Sequence, residues 1–213
     1  MRNISCISFI SLIFFLSICS LNTHAQCTAD TCDFVGVAAP WPQHGVDKVQ
    51  KVHVGRFALE VPAQAESINY IPDAPLVFNM GRYKLAVSLV YPADIFGPGT
   101  DAFKGSQFRL IDYPGLIYSR TRKTPLPSDD KDMRIVRAAL EEKSSRFVGL
   151  KKANIYTKEG VTAYYAEINF SEFTGDLILT HTDIPDRYVR VLMSSGNPEV
   201  LLKLIPTFVK VGQ

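Results

Sequence analysis

The stretch ANIYTKEGVTAYYAEINF, residues 153–170, decides the fold. Two runs rich in β-branched and aromatic residues are joined through Lys158-Glu159-Gly160, which reads as a hairpin. A connection this short makes the two strands antiparallel, because parallel neighbours need a crossover of a dozen or more residues. Downstream, DLILTHT (176–182) and RYVRVLMSS (187–195) supply two more strands at close spacing. The sheet is therefore expected to be largely antiparallel.

Upstream, RYKLAVSLVYP (82–92) alternates with period two. Tyr83, Leu85, Val87, Leu89 and Tyr91 share one face, and Pro92 stops the run. VHVGRFALEVP (52–62) reads as one strand, with Phe57, Leu59 and Val61 alternating with Arg56, Ala58 and Glu60. Short apolar runs follow at 108–111 and 116–121, parted by the turn signal Asp112-Tyr113-Pro114-Gly115. The glycine-rich segment 95–106 reads as a mobile surface loop. Ser128 followed by Asp129 and Asp130 marks a helix start, with acids where the helix dipole favours them. Met133, Val136, Leu140 and Phe147 then recur at helical spacing, predicting an amphipathic helix over 130–146. Asn197-Pro198 opens a final helix, EVLLKLI, which Pro206 closes. The order of strands, helix, four strands and helix predicts an α+β fold, a largely antiparallel twisted sheet with helices packed on it.

The first 25 residues carry Arg2, an apolar run and the small-residue exit Thr23-His24-Ala25, as secretory signal peptides do. The apolar run is short for a membrane-spanning helix, which needs roughly 20 residues. Cleavage after Ala25 is expected, followed by an irregular N-terminal arm (26–50) with Trp41 as its anchor and a single α+β domain (51–213). A periplasmic or secreted protein with no stable membrane insertion follows. Two cysteines, Cys27 and Cys32, remain after cleavage. Gln26 is too large to precede a lipidated cysteine, and the nearest surviving histidine, His44, is 12 residues on. A local Cys27–Cys32 disulfide fits best, worth roughly 2 kcal/mol by loop entropy. It would order the tail more than it would support the core.

The leader holds one of the 23 basic residues and none of the 21 acidic ones, leaving +1 on the remainder. Near-neutrality gives nucleic-acid binding no support. Charge is nonetheless uneven: residues 120–152 hold ten Lys/Arg against five Asp/Glu. A basic segment on an otherwise acidic domain suits an acidic partner or anionic head groups, the plainer alternative being a solvated helix face. Arg120, Arg122 and Lys123 at an expected strand end, with Arg134 and Arg137 on the helix, are the candidate contacts.

No G-x-S-x-G elbow is present, and Ser194-Ser195-Gly196 reads as a turn before a helix. His44, His53 and His181 show no H-x-H or H-x-x-x-H spacing, so neither a metal site nor a general base is expected from them. His181 lies beside Asp183, the one pairing that would favour an enzyme if a cleft joined them to a serine. No glycine loop has the spacing of a phosphate cradle. No catalytic residue and no cofactor is expected. Tyr156, Tyr164, Tyr165, Phe170 and Phe173 form an aromatic cluster that reads as cross-strand packing, with a ligand-binding face as the alternative.

VGRFALEVPAQAE (54–66) resembles the opening strand of periplasmic immunity proteins that neutralise type VI secretion lipase effectors. The wider frame resembles the fold of the photosystem oxygen-evolving P subunit (PsbP) and Mog1. There RFALEVP, TAYYAEI and RYVRVLMSSGNPEVLLKLIPTFV correspond to the first strand, a middle strand and the last strand with its closing helix. Neither resemblance brings catalytic residues. Export, a single domain, absent catalytic motifs and uneven charge suit a non-enzymatic interaction protein, and the immunity-protein resemblance implies one that binds and blocks a secreted toxin or effector. The alternative expectation is a periplasmic small-ligand or lipid-binding module.

Overall fold

The computed structural model describes residues 32–43, 48–70, 74–170 and 172–212. The expected leader, Cys27 and His44 lie outside the described residues. In chain order the elements begin with β1 (Val37–Ala38), β2 (Val49–Val54), β3 (Phe57–Pro62), β4 (Ser67–Asn69), β5 (Leu76–Asn79) and β6 (Lys84–Val90). Three helices follow: α1 (Pro92–Phe96), α2 (Tyr113–Ser119) and α3 (Asp130–Arg146). The chain then runs through β7 (Lys152–Lys158), β8 (Val161–Phe170), β9 (Phe173–His181), β10 (Tyr188–Ser194), α4 (Glu199–Leu202) and β11 (Val209–Lys210).

The hairpin at 153–170 forms as its sequence requires. β7 and β8 pair antiparallel, with Lys158 opposite Val161, leaving Glu159-Gly160 as a two-residue turn. Both turn residues have positive φ, 49° and 81°, so the backbone twist of the turn matches that of the strands. β8 lies near the middle of an eight-stranded sheet ordered β1-β7-β8-β9-β10-β6-β5-β4, and a second sheet is ordered β11-β3-β2. Among the described residues every ladder is antiparallel except β1 with β7.

Alternation along β8 separates two cores. Val161, Ala163 and Tyr165 enter one, with Phe57, Leu59 and Val61 of the small sheet and Leu201, Leu204 and Phe208 near the C-terminus. Tyr164, Ala166 and Ile168 enter the other, with Leu116 and Ile117 of α2 and Ile135, Val136 and Ala139 of α3. The large sheet is thus a middle layer covered on both sides, which is why its central strands are apolar at consecutive positions. Fully burying one such side chain contributes about 1.5–3 kcal/mol.

Several expectations need correction. VHVGRFALEVP is two strands, not one: β2 and β3 form a hairpin turning at Gly55-Arg56, where Gly55 has φ +59°. Residues 110–119 are helical rather than extended, a 3-10 turn at Leu110–Asp112 leading into α2. Pro114 sits in the first turn of α2, where its fixed φ suits a helix and its missing N–H is not needed. The expected mobile loop begins within α1 and is tied down by Phe96 and Phe103. Their rings meet edge-to-face at 5.6 Å and both meet the buried Tyr113.

α3 has the expected bounds, but Asp129 rather than Ser128 caps it, accepting from the Lys131 and Asp132 N–H groups at 2.9 and 3.1 Å. Its buried stripe is Asp132, Ile135, Val136, Ala139 and Lys143, rotated from the apolar stripe of the sequence. Charged residues can hold such positions because their hydrogen bonds are made inside. Asp132 accepts from the Ser106 hydroxyl and the Gln107 N–H, at 2.5 and 3.1 Å. The final helix is a single turn, α4, with Pro206 in a following 3-10 turn instead of closing a longer helix.

The arm is held by more than Trp41. Cys32 and Phe34 are buried in the helix-side core, and Cys32 is disulfide-bonded. Lys143, fully buried, donates to the carbonyls of Phe34 and Arg120 and lies 4.3 Å over the Phe34 ring. Burial pulls its pKa down to about 8, with Asp33 opposing the shift.

Candidate functional site

The most concentrated chemistry lies between α3 and the large sheet. On β10, Val189 and Val191 face the small sheet, so alternation turns Tyr188 and Arg190 toward α3. Arg190 stands opposite Ile178 of β9, which makes Asp176 its diagonal neighbour. The Arg190 Nε donates to Asp176 Oδ1 at 3.0 Å, and its Nη2 donates to Oδ2 of the same carboxylate. Glu142 reaches down from α3 to accept from Arg190 Nη1 at 2.5 Å, from Arg146 Nε at 3.2 Å and from the Tyr113 hydroxyl at 3.1 Å. Burial pushes the Glu142 carboxyl up, but Arg190, Arg146 and Tyr113 together bring it below its ordinary value. The Tyr113 hydroxyl is driven far above the usual tyrosine range by burial and by Glu142. Two cations, Arg190 and Arg146, are matched by two anions, Asp176 and Glu142, so the floor is neutral. Sequence reasoning missed it; the only signal was a charged residue at consecutive-strand position 190 and another at 176, each in an apolar run.

Above that floor lies a trough of about 1030 Å³. The far end of β6, from Val87 to Val90, lines it. One wall is the β2–β3 turn at His53–Gly55, and the other includes Glu141, Ser145 and Arg146 of α3. Tyr70, largely exposed, and Tyr91 stand at its rim.

On the other flank of α3 a second groove of about 590 Å³ runs between the helix and the loop after α2. Leu140 and Val148 supply apolar lining, and Arg122 and Arg137 border it. Arg122 is fixed there by its Nη2 bond to Ser144 Oγ at 3.2 Å and by its backbone N–H to Asp33 Oδ1 at 3.0 Å. The structure therefore brings together two of the five cations singled out from the sequence. Arg134 and Lys123 are exposed but do not line the groove. Arg120 is half-buried, its Nη1 donating to the Pro125 carbonyl at 3.2 Å, and it follows a helix rather than ending a strand.

The other sequence candidates are spread over the fold. Tyr156 and Tyr165 lie in one core and Tyr164 in the other, so the aromatic cluster is divided by the sheet instead of lining one face. His181 accepts from the Asp183 N–H at 3.2 Å, and the Asp183 carboxylate is ion-paired with Lys210. Ser195 occupies a left-handed turn position, φ 61°. Among the described residues no group of three or more His, Cys, Asp or Glu is placed to hold a metal ion. No helix among them is long and apolar enough to cross a membrane.

These features define an α+β protein with a helix-flanked, largely antiparallel sheet and two open depressions beside α3. No protein-family model matches the chain, and no curated protein does. The solution structure of cyanobacterial PsbP (CyanoP) from Synechocystis sp. PCC 6803 is similar to it, with a TM-score of 0.38 and 13% identity. That similarity covers 78% of this chain and 94% of the other.

Proposed function

We propose that this chain is an exported, non-enzymatic interaction protein that binds a protein partner through the groove flanking α3. The observation that carries the reading is the convergence of Arg122 and Arg137 on one groove lined by Leu140 and Val148. Interfaces draw their energy from buried apolar anchors, with arginine among the favoured contact residues. Here the lining offers a seat for an apolar side chain and the arginines offer a rim for carboxylates. A secreted toxin is the kind of partner that the immunity-protein resemblance suggests, and occlusion of the toxin's site would be the mechanism. Removal of the leader after Ala25, a periplasmic location and a Cys27–Cys32 disulfide belong to the same proposal. So does binding without nucleic acid, cofactor or stable membrane insertion.

Affinity capture from a periplasmic extract tests it, with wild type compared against R122E/R137E. A partner retained by wild type and lost by the variant, at unchanged melting temperature, supports the reading. Equal capture by both proteins, or capture of no protein, counts against it. The alternative, a small-ligand or lipid-binding module, has the 1030 Å³ trough in its favour. Native mass spectrometry showing a stoichiometric small molecule would favour it.

A further inference from the structure

We infer that residues 32–36 of the N-terminal arm are a clasp that sets the position of Arg122 at the α3 groove, with Asp33 and Lys143 as its positioning residues. The inference rests on the groove reading and adds what controls that site, the docking of the arm. The loop after α2 keeps its own shape. The Thr121 N–H donates to Thr124 Oγ1 at 3.1 Å, and the Thr124 N–H to the Thr121 carbonyl at 3.0 Å. These bonds close a turn, but where the turn lies against α3 depends on bonds to other elements. The Arg122 N–H donates to Asp33 Oδ1 at 3.0 Å, and Arg122 Nη2 donates to Ser144 Oγ at 3.2 Å. One residue earlier on α3, Lys143 Nζ donates to the Arg120 carbonyl at 2.5 Å and to the Phe34 carbonyl. One fully buried ammonium thus ties arm, loop and helix together.

The arm has a seat of its own. Cys32 and Phe34 are buried while Asp33 and Val35 are exposed, the alternation of an extended segment. The Phe34 ring meets Tyr118 edge-to-face at 5.5 Å and lies 5.3 Å from Phe147. The Gly36 N–H donates to the Tyr118 carbonyl at 2.7 Å, and a Cβ on Gly36 would come within 2.9 Å of the Tyr118 ring. These contacts hold the backbone of the arm, which leaves the Asp33 side chain to reach the loop. Asp33 is therefore not needed to seat the arm; what it supplies is the acceptor for the Arg122 N–H. Such coupling is reciprocal, so a partner held through Arg122 also holds the arm down.

The test compares D33A with D33N in the full, oxidised chain. Alanine removes the acceptor, whereas asparagine keeps an oxygen acceptor and loses only the charge. Asp33 is exposed, so both variants should fold. The first readout is amide nitrogen relaxation of the partner-free protein. Backbone order parameters at residues 121–124 should fall from the rigid range, about 0.85, in D33A and stay there in D33N. No fall in D33A, or the same fall in both variants, would overturn the inference with no partner in hand. The second readout is the affinity of a partner captured from a periplasmic extract. D33A should bind it about fivefold more weakly, the effect of one lost hydrogen bond, and D33N should match wild type. Loss of negative charge alone would instead make both variants bind an acidic partner more tightly. That result, or unchanged affinity of D33A, overturns the clasp, while loss of the same partner by R122E/R137E still upholds the groove. Capture of no partner by wild type counts against the groove, and the order parameters then decide the clasp.

Discussion

Replacing Arg190 with methionine removes the centre of the buried network while keeping a long unbranched stem. The Arg190 and Asp176 side chains are only 6% and 2% exposed. The described contacts of the Asp176 carboxylate are both to Arg190, so the substitution leaves it buried and uncompensated. Glu142 fares better, because Arg146 and Tyr113 remain bonded to it. Breaking a buried ion pair by deleting one partner costs about 3–5 kcal/mol. At about 2–4 °C per kcal/mol for a domain of this size, R190M should melt about 6–20 °C lower. The double variant R190M/D176L removes both central charges and should recover to within about 1 kcal/mol of wild type, since well-packed apolar groups replace such pairs at little cost. Urea unfolding of the oxidised proteins, with unchanged m-values, measures both numbers. A single-variant cost below about 1 kcal/mol, or a double variant no more stable than R190M, would show that Asp176 does not depend on Arg190 for its charge compensation.

Three further outcomes follow from single positions. Lys143 has its pKa lowered from 10.5 to about 8 on folding, so the unfolded chain holds more protons between those values and stability rises with pH through that window. Wild type should gain up to about 3 kcal/mol relative to K143M as pH goes from about 7 to 10.5, and a constant difference across the range would contradict this. Glu159 occupies a left-handed turn position beside Gly160, so E159N, which suits such a turn, should stabilise by about 0.5–1 kcal/mol in thermal unfolding. A Cβ at Gly149 would lie 2.6 Å from the Asn169 carbonyl oxygen at φ +72°, and G149A should cost about 2 kcal/mol or more in the same assay.

The strands were legible where period two meets a clear stop. RYKLAVSLVYP and the 153–170 hairpin carry both signals, and both appear in the structure with the expected pairing sense. The α2 segment was not legible, because Tyr113-Pro114-Gly115 reads equally well as a turn or as a helix entry. What separates the two is Leu116, Ile117 and Tyr118 packing against α3, a tertiary fact. The rotated face of α3 has a similar cause. Lys143 and Asp132 look like solvent-facing charges until their distant partners, the Phe34 carbonyl and Ser106, are known. Of the site, composition pointed to the basic segment but could not distinguish Arg122 and Arg137, which share a groove, from Arg120, which turns onto its own loop. The Arg190 network was hidden because strand register, not residue spacing, makes Asp176 its neighbour.

The Arg122/Arg137 groove is tested most directly by the affinity of a captured partner for wild type and for R122E/R137E, each shown to have the same melting temperature. Reversing both charges should weaken binding at least about tenfold, since two interfacial contacts change sign. An unchanged affinity would contradict it.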